Sequence, residues 1–112
     1  LMTDFEKFQK VFKGYQKKFG LTGYKVYFQY KPIEDFAESI VDWGNKVATV
    51  RLNSALPSKD KPFKHIHVSA KHEAIHLLLN RLESCAFRRY TTETDISEAV
   101  EELTFKLEDL IE

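Results

Sequence analysis

Apolar residues fall three and four apart at Phe5, Phe8, Val11, Phe12, Tyr15 and Phe19, which predicts an amphipathic helix capped by Thr3 or Asp4 and ended by Gly20. The spacing then changes. Residues 24–30 have the aromatic and β-branched composition of a strand, and Pro32 closes it. A second extended run covers residues 36–42, and Trp43-Gly44-Asn45-Lys46 turns it into a third, residues 47–53, so that two of the strands form a hairpin. Residues 54–62, with Pro57, Pro62 and a lysine cluster, read as an exposed loop. Helical spacing returns between Pro62 and Val68 and holds to about Glu83, with Val68, Ile75, Leu78, Leu79 and Leu82 on one apolar arc. Residues 84–94 read as irregular. Thr94 or Asp95 then caps a last helix that carries Ile96, Val100, Leu103, Leu107, Leu110 and Ile111. The predicted order is α-β-β-β-α-α, an α+β class with helices packed on a small three-stranded sheet.

Composition bounds this reading. A chain of 112 residues, 43% hydrophobic and 30% charged, makes one globular domain over residues 1–112. No apolar run reaches the roughly 18 residues that cross a bilayer, and the lysine-rich start lacks a signal peptide's apolar block, so a cytoplasmic protein without membrane partners is expected. Leu1 ahead of Met2 reads as a residue added before the natural start. Cys85 is the single cysteine, which excludes an internal disulfide and a cysteine-based metal site and reads as a small buried apolar residue. A net charge of zero argues against a nucleic-acid binder. Charge is nevertheless uneven, since residues 1–31 hold seven lysines and residues 90–112 hold eight acids against Lys106. Such asymmetry reads first as solvated helix faces.

The chemistry concentrates at Lys71-His72-Glu73-Ala74-Ile75-His76, which contains HExxH. On a helix His72 and His76 share one face and can bind one tetrahedral zinc, while Glu73 lies a step round, where a carboxylate can deprotonate a water activated by the metal. A shuffled chain with these 4 histidines and 11 glutamates would carry the motif about once in a hundred, so its setting has to support it. That setting places both histidines at the border of the apolar arc and points Glu73 further towards the open side. A catalytic zinc needs a third protein ligand, and Glu98, Glu101 and Glu102 follow on the last helix. For the donor that steadies an oxyanion, His65, His67, Arg88, Arg89 and Tyr90 all stand near the motif in sequence, and none is selected.

With its HExxH helix running into Leu77-Leu78-Leu79 and its Glu98-Ala99-Val100-Glu101-Glu102-Leu103 segment, the chain resembles the small HExxH metallopeptidase-like proteins of phages and prophages, minimal zincins of the gluzincin kind. The resemblance spans roughly residues 24–110 in the order of elements. It implies a zincin-like fold, a zinc cofactor, a peptide or protein substrate, and Glu98 as third ligand. Helical geometry points Glu98 almost opposite the last helix's apolar arc and brings Glu102 and Glu101 nearer its flanks, which leaves those two as alternatives. The function expected is zinc-dependent peptide hydrolysis in a host cytoplasm, with Val47–Asn53 as the rim that receives an extended substrate. The alternative is a catalytically inactive zincin-fold interaction protein of a phage or mobile element.

Overall fold

Thr3 begins the first helix by accepting a hydrogen bond from the Glu6 amide at 3.1 Å, and α1 runs Asp4–Lys18. Gly20, at φ 71°, turns the chain out of it. The computed structural model describes residues 1–56, 65–108 and 110. Most of the predicted loop, residues 57–62, and Ile111 therefore lie outside the described residues.

Three strands follow: β1 (Lys25–Lys31), β2 (Ala37–Asp42) and β3 (Val47–Asn53). They form a mixed sheet in the order β1-β3-β2, with β1 parallel and β2 antiparallel to β3. The predicted hairpin is β2–β3. At its turn Asp42 accepts from the Asn45 amide at 3.2 Å and from the Asn45 side chain at 2.7 Å, bonds that hold its carboxyl below the usual range. Lys46 takes the left-handed conformation that returns the chain to β3.

Alternation along the strands sends Ala48, Val50 and Leu52 to one face, where all three are buried. Their partners Val26 and Phe28 on β1, and Ala37, Ser39 and Val41 on β2, share that face. Helix α1 covers it with Phe8 and Phe12, whose rings meet Phe28 edge-on at 6.5 and 5.4 Å. Helix α2 (Ile66–Phe87) covers the rest, and α3 (Glu93–Glu108) packs on α2 through Ala99 and Leu103. The fold is a small α+β domain. Among the described residues no helix is long and apolar enough to cross a membrane.

Two expectations need correction. Helix α2 continues past Glu83 to Phe87, and α3 starts earlier than predicted, because Thr92 and Asp95 cap it reciprocally: Asp95 N–H donates to Thr92 Oγ1 at 3.1 Å and Thr92 N–H to Asp95 Oδ2 at 2.9 Å. The buried face of α2 is also rotated from the expected arc. It runs through Ile66, Ala70, Ala74, Leu77 and Leu78, while Val68, Ile75 and Leu79 are 60%, 37% and 41% exposed. Ala70 and Ala74 are fully buried on that face, and a wheel weighted by large apolar side chains passes over them.

Candidate active site

One helical turn separates His72 from His76, and the structure brings their Nε2 atoms to 3.1 Å. Two nitrogens bound to one tetrahedral zinc at ordinary bond lengths stand about 3.3 Å apart, so the pair fits two positions of such an ion. Both rings face a cleft of about 730 Å³ between α2 and the segment that contains β2.

Glu73 lies about 100° round the helix from His72, on the side that meets β2. It is not turned to the open side as expected. It is 5% exposed and accepts a hydrogen bond from the Ser39 hydroxyl at 2.9 Å, although it still lines the cleft. The rotated inner face of α2 explains this, since turning the alanines inward carries Glu73 into the seam between helix and strand.

The three glutamates of α3 are not brought to the histidine pair. Arg81 binds Glu102 at 2.5 Å and Glu98 at 3.2 Å, and Glu101 is exposed. Arg81 follows His76 by five residues, which places it about 140° round the helix. Cys85, whose sulfur approaches the Asp95 carbonyl of α3 at 3.8 Å, follows by nine, about 180° round. Helix α3 thus packs against the side of α2 that faces away from the histidines. Among the described residues no three His, Cys, Asp or Glu side chains converge closely enough to hold a metal ion. The acidic end of the chain meets a structural cluster instead. Tyr24, pushed up to about 12 by burial and then by Glu102, belongs to it, and so does Lys46, which burial lowers.

Of the residues considered as oxyanion donors, His65 lines the cleft. His67 lies elsewhere, 3.2 Å from the Tyr15 hydroxyl. Arg88 stacks over Trp43 at 5.2 Å, beside a second cavity of about 470 Å³ that shares Val41, Asn80 and Glu83 with the main cleft. Arg89 lies over the ring of Tyr90, which is 82% exposed. Cys85 is buried, as its reading as a small apolar residue anticipates.

Asn80 and Ser39 are among the cleft residues that the sequence did not single out. Asn80, 9% exposed, stands one turn beyond His76, a place the spacing His72, His76, Asn80 could have signalled. Ser39 could have been found as the polar member of an otherwise apolar alternating row, Ala37-Ser39-Val41. Compared with protein families, curated proteins and solved structures, the chain matches none.

Proposed function

We propose that this domain is a zinc-dependent metallopeptidase of the minimal zincin type. The observation that carries the reading is the close approach of the His72 and His76 Nε2 atoms with Glu73 beside them in one cleft. His72 and His76 would supply two of the metal's protein ligands, and among the described residues no third is in place. When bound there, zinc would polarise a water molecule and the substrate carbonyl. Glu73 takes the proton released as water attacks and passes it to the leaving amine.

The strand that suits a substrate differs from the one expected. Strand β3 is central and paired on both sides, so Val47–Asn53 has no edge to offer. Among the described residues strand β2 ends the sheet beside the cleft, and the backbone groups it leaves unpaired there suit an extended peptide.

Metal analysis tests the grip. Zinc-loaded wild type should carry about one zinc per chain and melt at a higher temperature than the metal-free form, and His76→Ala should lose both properties. Glu98→Ala should keep its zinc, because Glu98 pairs with Arg81 on the opposite side of α2. Loss of zinc in that variant would mean that α3 moves round to supply a ligand. A wild type that binds no zinc would overturn the proposal.

The Arg81 pairs also favour a second reading, an inactive zincin-fold interaction protein, since they keep Glu98 and Glu102 from completing a three-ligand site. Failure of the zinc-loaded wild type to cleave any member of a peptide library would favour it over the first.

A further inference from the structure

We infer that Ser39 is a positioning residue for Glu73, and that it sets the direction in which the carboxylate acts on a bound peptide. This rests on the metallopeptidase reading. Ser39 pairs with Val50, which is fully buried, between the pairs Ala37–Leu52 and Val41–Ala48, so it occupies an inward position in an apolar row. Glu73 sits beside Ala74 and one turn from Leu77, at the buried margin of α2. Packing alone would favour aliphatic side chains at both places, because a buried hydroxyl and a buried carboxylate each lose hydration. Replacing two such partners together by apolar groups of similar shape is often neutral or stabilising.

The two groups instead satisfy each other. Ser39 Oγ donates to Glu73 Oε1 at 2.9 Å, and among the described residues Ser39 is the one hydrogen-bond partner of that carboxylate. A hydroxyl bond to an ionised group is among the stronger neutral-to-charged contacts, and it is directional. It ties one oxygen to the strand that walls the cleft and leaves Oε2 unbonded among the described residues, on a side chain that lines the cleft. Rotation about the last side-chain bonds of Glu73 is thereby restricted, and the base is held ready rather than searching. Because the donor belongs to β2, the strand whose free edge borders the cleft, a peptide seated on that edge and the base that acts on it share one support.

Threonine and valine at position 39 give the clean comparison, since they have nearly the same shape, both suit a strand, and only threonine keeps the hydroxyl. Zinc content, Tm and the kinetics of a quenched-fluorescent peptide cleaved by wild type would be measured for Ser39→Thr and Ser39→Val. Ser39→Thr should keep kcat within about threefold of wild type. Ser39→Val should lose about tenfold to a hundredfold in kcat, with KM within about twofold and zinc content unchanged. The double variant Ser39→Val with Glu73→Leu should melt no lower than wild type, which a purely structural role for the pair would not allow. Equal kcat for the threonine and valine variants would overturn the positioning role while leaving the metallopeptidase reading intact. A zinc-loaded wild type that cleaves no peptide in the library would overturn both.

Discussion

Glu73→Gln is expected, on the proposed metallopeptidase reading, to remove turnover while zinc stays bound. Glutamine keeps the length and shape of glutamate, and its carbonyl oxygen can still accept the Ser39 hydroxyl now bonded at 2.9 Å, so the seam between α2 and β2 should persist. What is lost is the ability to take a proton. General-base catalysis contributes about a hundredfold to ten-thousandfold in rate, so kcat should fall by at least about a hundredfold. His72 and His76 are untouched, and zinc content should match wild type. Turnover assays on zinc-loaded protein, run beside metal analysis of the same samples, check both halves. Undiminished hydrolysis in this variant would remove Glu73 from the mechanism.

Phe12→Ala should be among the most damaging of the simple core truncations. Phe12 is fully buried and lies edge-on to Phe28 at 5.4 Å, at the contact between α1 and the sheet. Removing a buried phenylalanine ring costs about 3–5 kcal/mol, and a domain of this size has about 5–15 kcal/mol in total. The variant should therefore lose a large share of its stability and unfold at much lower urea concentration. A loss below about 1 kcal/mol from urea titration would show that the Phe12–Phe28 contact is not the main tie between α1 and the sheet.

Much of the fold was legible because each segment's period agreed with its neighbours. The three-and-four spacing from Phe5 to Phe19 marks α1, and the β2–β3 turn is written in Trp43-Gly44-Asn45-Lys46. Helix orientation was less legible. The wheel of α2 drew attention to Val68, Ile75 and Leu79 because they are large, whereas the packed face depends on Ala70 and Ala74, which are small. A hydrophobicity pattern records which residues avoid water and not how near two backbones come. The same gap hid the setting of Glu73. HExxH predicts the His72–His76 pair because that pair is local to one helix, but the Ser39 contact joins residues 34 apart and depends on how β2 lies against α2. The pairing of Glu98 and Glu102 with Arg81 is non-local too, and the acidic face of α3 carries no mark of which cation it meets.

The histidine pair and the Ser39–Glu73 bond differ in what must stay intact for each to exist. His72 and His76 need only one turn of α2, so their grip would survive any loosening that leaves this helix wound. The orientation of Glu73 needs the sheet seated against the helix. On the proposed metallopeptidase reading, holding the metal and using it should therefore part company in rising denaturant, with hydrolysis fading while the two imidazoles still chelate. On that reading a preparation could be metal-loaded and inert at once, and metal content by itself would be a poor gauge of how much natively folded protein a sample contains.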